Sequence, residues 1–128
     1  MPYTDTKYPL QQETGAIIGL AMEVHNTLGP GFLEAVYQEA LQHELTNHGI
    51  PFENQKCYRI PYKDVILTNK YFADLVIFGK VIVEIKAKKE IANIDMAQTI
   101  NYLKCSGCPV GLILNFGADK LEMKRMVF

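Results

Sequence analysis

Three charged residues stand in a stretch whose apolar character is that of a buried sheet. Residues 71–86 read Tyr-Phe-Ala-Asp-Leu-Val-Ile-Phe-Gly-Lys-Val-Ile-Val-Glu-Ile-Lys, two strand-like runs around a tight turn at Gly79-Lys80. The second run, Val81 to Ala87, is apolar at nearly every position, the pattern of a central strand covered on both faces. Glu84 and Lys86 interrupt it. Two residues apart, they share a face, about 6.6 Å from one another along the strand. Asp74 interrupts the preceding run. Charged groups in buried strands are costly unless they are paired or hold a metal. Three charged groups at the heart of a sheet suggest a site. The rival is a buried Asp–Lys–Glu ion network in a fold without activity.

The chemical reading makes a geometric demand. With a plain two-residue turn at Gly79-Lys80, Phe78 would pair with Val81 and Asp74 with Ile85, leaving Asp74 on the opposite face from Glu84 and Lys86. A shared site requires a three-residue loop, such as Gly79-Lys80-Val81 with Asp74 opposite Lys86, or a bulge within the strands.

The elements around this stretch follow from periodicity and breakers. Residues 1–8 read as a flexible arm, and 9–128 as a single domain. A helix runs from Pro9 to about Leu28, with Ile17, Ile18, Ala21, Val24, His25 and Leu28 as its apolar stripe. Gly15 and Gly19 would let another element approach closely, and His25 reads as a packed, hydrogen-bonded histidine, with a role at the site as the alternative. Leu28-Gly-Pro-Gly31 turns the chain into a second helix, Leu33 to His48, ended by Gly49 and Pro51. Glu34, Tyr37 and Leu41 lie along one side of it, and a carboxylate at Glu34 also suits the helix N-terminus. Strands are expected at Phe52–Tyr62 (distorted near Pro61, which cannot donate to a ladder), Val65–Thr68 and Tyr71–Phe78, with Asn69-Lys70 as a turn or kink between the last two. After Val81–Ala87 comes a helix from about Asn93, a fair N-cap, to Lys104. Its packed stripe is Ile94, Ala97, Ile100 and Leu103, with Gln98 and Tyr102 sharing another face. Val110–Asn115 and Leu121–Phe128 complete the order α-α-β-β-β-β-α-β-β, an α/β fold with a mixed central sheet flanked by helices.

Asp74 followed by Glu84-Ile85-Lys86 resembles the PD-(D/E)XK nuclease superfamily. Gly31-Phe-Leu-Glu34-Ala-Val-Tyr37 is similar to the Gly-x-x-Glu-x-x-Tyr signature of one small branch, the GxxExxY proteins. Val24-His25, Leu28-Gly29-Pro30-Gly31, Gly49-Ile50-Pro51-Phe52, Ala73-Asp74, Asn101-Tyr102-Leu103-Lys104 and Asn115-Phe116-Gly117 follow that branch in order, over roughly residues 10 to 128. One departure is Phe72, where relatives commonly carry an arginine that could contact phosphate. The resemblance implies a restriction-endonuclease-like αβββαβ core with an extra N-terminal helix, and a nuclease dependent on Mg²⁺ or Mn²⁺. It implies Asp74, Glu84 and the Ile85 carbonyl as direct metal ligands, with Glu34 reaching the metal through a water. Lys86 would position the attacking water or stabilise developing charge, and Gln98 would orient that water or a phosphate. A catalytically silent module that binds nucleic acid or a protein partner is the alternative.

Composition narrows the setting. The chain has 128 residues and a formal net charge of −1, less basic than a free-standing nonspecific nucleic-acid binder. Contact with nucleic acid, DNA by preference, therefore has to come from a local patch. Lys86, Lys88 and Lys89 form one candidate cluster, and Lys120, Lys124 and Arg125 another. A protein partner or a homodimer is also compatible. No apolar run approaches the roughly 20 residues of a membrane span, and the start lacks the features of a signal peptide, so the cytoplasm is the expected location. Cys57, Cys105 and Cys108 are an odd number, which argues against a disulfide framework. Cys105-Ser-Gly-Cys108 has redox or metal spacing, but it sits at a helix end and has no second pair to close a zinc site.

Overall fold

The structure, a computed structural model, describes residues 9–128; the expected arm, 1–8, lies outside the described residues. Helices α1 (Gln11–Leu28) and α2 (Glu34–Asn47) precede strands β1 (Phe52–Tyr62), β2 (Val65–Ile77) and β3 (Val81–Lys86). Helix α3 (Asn93–Ser106) then leads to β4 (Val110–Asn115) and β5 (Glu122–Val127). The strands form one sheet in the order β1-β2-β3-β4-β5. The β3–β4 pair is parallel and bridged by α3, while the other neighbours are antiparallel. This is the mixed sheet flanked by helices that the sequence predicts.

Two cores cover the sheet. On one face α1 and α2 contribute Ile17, Ala21, Val24, Tyr37, Leu41 and Leu45, packed on Val81, Val83, Ile85, Leu112 and Leu114. On the other, Leu103 of α3 packs with Ile82 and Ile113. Burial on both faces explains why β3 and β4 are apolar without alternation. The stripe of α1 is as expected, and His25 is buried with Nε2 2.9 Å from the Ala118 carbonyl oxygen. Tyr37 holds the turn that precedes its own helix. Its hydroxyl donates to the Gly29 carbonyl at 2.6 Å and accepts from Phe32 N–H at 3.1 Å, and its ring stacks on Phe116.

Several local expectations are corrected. Gly15 and Gly19 are exposed, and among the described residues a Cβ at either would meet nothing within 4 Å, so no described element approaches there. The close approaches occur at Gly111, where a Cβ would lie 2.8 Å from Thr99 Cγ2, and at Gly117, where it would collide with the Lys88 backbone. The packed side of α3 carries Asp95, Thr99 and Leu103, leaving Ile94 and Ala97 exposed. Ala92, not Asn93, is the cap of α3.

The two expected strands at Val65–Thr68 and Tyr71–Phe78 are one strand, β2. Asn69-Lys70 does not end it. Its pairing with β1 runs through Arg59↔Lys70 and resumes at Pro61↔Ile66, so Ile60 alone faces Leu67, Thr68 and Asn69. Pro61 has no N–H for a regular ladder, and the extra residues of β2 are accommodated beside it.

The β2–β3 hairpin meets the geometric demand. Ile77 pairs with Val81, Val76 with Ile82 and Leu75 with Val83, so the loop is Phe78-Gly79-Lys80, one residue earlier than Gly79-Lys80-Val81. Phe78 and Gly79 take positive φ of 59° and 68°, and Lys80 N–H closes the turn on the Ile77 carbonyl at 3.1 Å. Continued by one step, this register sets Asp74 opposite Glu84 instead of Lys86. The odd loop length gives the ladder the parity that a two-residue turn would have denied, although the ladder itself ends at Leu75↔Val83, one step before Asp74.

Candidate active site

Strand β2 changes face at Asp74. Tyr71 and Ala73 belong to the core under α3, whereas Leu75 and Ile77 belong to the core under α1 and α2. All four are odd-numbered and would share one face of a regular strand. The hydrogen bonds show how the switch is made. Asp74 N–H donates to Glu84 Oε2 at 3.2 Å, and the Asp74 carbonyl accepts from Gln38 Nε2 of α2 at 2.9 Å. The backbone polar groups of Asp74 are thus spent on side chains, and its carboxylate takes the vacated ladder position. Asp74 Oδ2 accepts from Ile85 N–H at 2.8 Å. On β1 the residue across from this break is Gln55, with φ of 49°, and regular pairing resumes on either side at Asn54↔Leu75 and Lys56↔Ala73.

Glu84 is the buried member of the pair, 7% exposed. Its Oε2 also accepts from the Tyr71 hydroxyl at 2.9 Å. Tyr71 is held from above by Tyr102 of α3, the two rings stacked with centroids 3.5 Å apart. Burial, and next the nearby Asp74 carboxylate, push the Glu84 carboxyl up to about 7, against the opposing pull of the Asp74 N–H, the Tyr71 hydroxyl and Lys86. Burial and the adjoining Glu84 likewise raise the Tyr71 hydroxyl, which stays protonated and donates. Tyr102 is raised by burial and by the same two carboxylates.

Lys86 lies on the α3 side with Glu84, and its Nζ is 4.0 Å from Asp95 Oδ1. Asp95 is the anchor of this corner. Its Oδ2 accepts from Lys88 Nζ at 2.7 Å and from Ala92 N–H at 2.8 Å, closing the first turn of α3. Burial works against its charge, but the Lys88 ammonium, the Ala92 N–H and Lys86 outweigh it and hold the carboxyl below its ordinary value. The backbone of Lys86 and Lys88 is fixed from β4. Phe116 N–H donates to the Lys86 carbonyl at 2.8 Å, and the buried Asn115 amide both accepts from Lys88 N–H at 3.0 Å and donates to the Lys88 carbonyl at 2.9 Å. Asn115-Phe116-Gly117 is therefore a clamp on the segment that leaves β3, with Gly117 required by the contact with Lys88.

The structure brings Asp74, Glu84, Ile85 and Lys86 together. Glu34 and Gln98 stand at the margins. Glu34 is the exposed first residue of α2, one turn before Gln38, which touches Asp74; Gln98 is exposed on α3, one turn before Tyr102. Among the described residues, neither is hydrogen-bonded to Asp74, Glu84 or Lys86. Sequence reasoning missed Gln38, Tyr71 and Asp95. Asp95 had a signal, since an acidic residue three positions after a helix cap reaches back to the cap N–H. Gln38 and Tyr71 had none beyond their helical or strand spacing from Glu34 and Asp74.

A hard cation fits this donor set. Asp74 and Glu84 each engage the protein through one oxygen, which leaves the other oxygen of each for a cation. The carbonyl of Ile85 points toward β2 as its N–H does, beside Asp74. Among the described residues no group of three or more His, Cys, Asp or Glu gathers at one point. Two carboxylates and a backbone carbonyl suit magnesium, which keeps several waters and needs only one or two carboxylates.

A mixed five-stranded sheet carrying an Asp and a Glu-x-Lys at the junction of its second and third strands is the architecture of a restriction-endonuclease-like protein. Residues 11–126 match the PD-(D/E)XK nuclease superfamily, and the chain belongs to it. The crystal structure of SSO0001 is similar, with a TM-score of 0.56 and 15% identity over 73% of this chain and 48% of that one, a likeness of fold. The chain thus spans about half the length of that protein. No curated protein matches the chain.

Proposed function

We propose that this protein is a metal-dependent nuclease of the GxxExxY branch that hydrolyses phosphodiester bonds in nucleic acid, DNA being the first substrate to test. The observation that carries the reading is the cross-lock of Asp74 and Glu84. Two carboxylates are built against each other in a largely apolar sheet, at the cost of a broken ladder, and Glu84 is pushed toward neutrality by the arrangement. Structures retain such like-charge pairs where a cation or proton is meant to relieve them.

Asp74, Glu84 and the Ile85 carbonyl would hold Mg²⁺ or Mn²⁺. When bound, the ion supplies neutralisation of phosphate charge and activation of water. The chain's own residues do the rest. Tyr71 and the two backbone N–H groups fix one oxygen of each carboxylate, so the open oxygens are presented in a set direction. Lys86, steered by Asp95, supplies a positive charge on the Glu84 side for the charge that develops on phosphate. Glu34 and Gln98 would act from the rim, the first through a water, the second on a water or on phosphate.

Calorimetric titration with Mg²⁺ and Mn²⁺ tests the metal site itself. Wild type should bind one ion, and Asp74→Asn or Glu84→Gln should abolish the heat. Unchanged binding in both variants would remove these residues from the site. Binding without cleavage of any nucleic acid would favour the silent module.

A further inference from the structure

The arm formed by β1 and β2 beyond the site carries a pair of like charges in the least favourable place a sheet offers. Arg59 and Lys70 are direct cross-strand partners. Like charges at such positions repel across a short gap and destabilise the pairing. Both residues are exposed, and among the described residues neither is in a salt bridge. Their side chains lie on the opposite face from Tyr58 and Tyr71, whose rings stack toward α3. The next pair on the Arg59–Lys70 face is Cys57↔Phe72, so no carboxylate is supplied there. From Lys56 to Lys70 the ribbon holds Lys56, Arg59, Lys63 and Lys70 against Asp64, and of these Lys56 is paired with Glu53 of the same strand at 3.5 Å, in a chain whose net charge is −1. Basic charge is concentrated on this ribbon while the rest of the molecule is acidic on balance.

The ribbon is continuous with the candidate active site. Lys70 precedes Tyr71, which donates to Glu84, and lies four residues before Asp74, about 13 Å along β2. By contrast, two lysines of the cluster nearest the site, Lys86 and Lys88, are already paired with Asp95.

We infer that Arg59 and Lys70 form an anion clamp for the sugar–phosphate backbone of the nucleic acid, gripping it where it passes over the face of the β1–β2 arm opposite Tyr71 and Glu84. The inference rests on the nuclease reading for its choice of ligand. The occupant is a nucleic-acid strand because a run of phosphates supplies the negative charge the ribbon lacks, and a two-stranded ribbon is a shape that nucleic-acid grooves admit.

Binding can be separated from cleavage by working in EDTA. Fluorescence anisotropy of a short labelled oligonucleotide, duplex or single-stranded according to which the wild type binds more tightly, reads the affinity. Arg59→Ala with Lys70→Ala should weaken binding about tenfold near 0.1 M salt and lower the slope of log K against log salt by about 2. The same double change should leave the melting temperature unchanged or raised, because a repulsion is removed. Lys80→Ala with Lys104→Ala removes the same charge from exposed positions elsewhere and should leave affinity within twofold. Equal loss in both double variants, no loss in the first, or no binding by wild type would overturn the clamp. Cleavage lost in Glu84→Ala with binding retained bears on the nuclease reading alone.

Discussion

At the scale of single residues, the site is a balance between two carboxylates that lack enough positive charge. Glu84 sits at about 7 when folded, against 4.5 for an ordinary glutamate. The folded state therefore holds the proton more tightly than the unfolded chain. The stability tied to this group is fully present below about pH 4.5 and is lost as pH rises through about 7, by up to roughly 3 kcal/mol in metal-free protein. Chemical denaturation in EDTA at a series of pH values should show that decline, and Glu84→Gln should remove it. A flat profile common to both proteins would mean that Glu84 is not strained. Tyr71→Phe leaves the ring stack but removes the donor to Glu84. At pH 8 it should cost about 1.5 to 3 kcal/mol, and a loss below about 0.5 kcal/mol would show that Tyr71 does not support the charge. The three charged residues were legible in the sequence because each violates an apolar pattern. Tyr71 was not, since an aromatic in a strand fits the pattern and its hydroxyl partner is set only by the fold.

At the scale of elements, two devices aim these side chains: the odd-length loop at Phe78-Gly79-Lys80 and the clamp from Asn115-Phe116-Gly117. The clamp gives a sharp prediction. A methyl group on Gly117 has no room beside the Lys88 backbone, so Gly117→Ala should destabilise by more than about 2 kcal/mol, measured by urea denaturation. A change within about 0.5 kcal/mol would mean that the contact with Lys88 is not tight. Strand parity alone forbids the site with a plain turn and leaves an odd-length loop or a bulge within the strands. It could not choose between Phe78 and Val81 as the third loop residue. Phe78 adopts positive φ, which its type disfavours, while packing at the edge of the core under α1 and α2. The face switch at Asp74 was equally hidden. It depends on Gln38 from a helix 36 residues away taking the Asp74 carbonyl, and strand periodicity carries no trace of that. The same limit applies to α3, where Ile94 and Ala97 read as core but the sheet selects Asp95, Thr99 and Leu103.

At the scale of the whole molecule, helices α1 and α2 cover one face, α3 covers the other, and the site lies where β2 leaves the regular ladder between them. The mixed sheet was legible because β3 and β4 lack alternation and α3 stands between them, the mark of a parallel pair joined by a crossover. No helix among the described residues is long and apolar enough to cross a membrane. The central claim is that Asp74 and Glu84 together make a metal-dependent phosphodiesterase. It is tested most directly by incubating purified protein with a panel of end-labelled single-stranded and duplex DNA and RNA, with Mn²⁺, with Mg²⁺ and with EDTA, beside Glu84→Ala. The account predicts cleavage of at least one substrate with either ion, none in EDTA, and none by Glu84→Ala despite a folded protein. Cleavage that persists in EDTA or in Glu84→Ala, or no cleavage of any substrate by wild type, would contradict it.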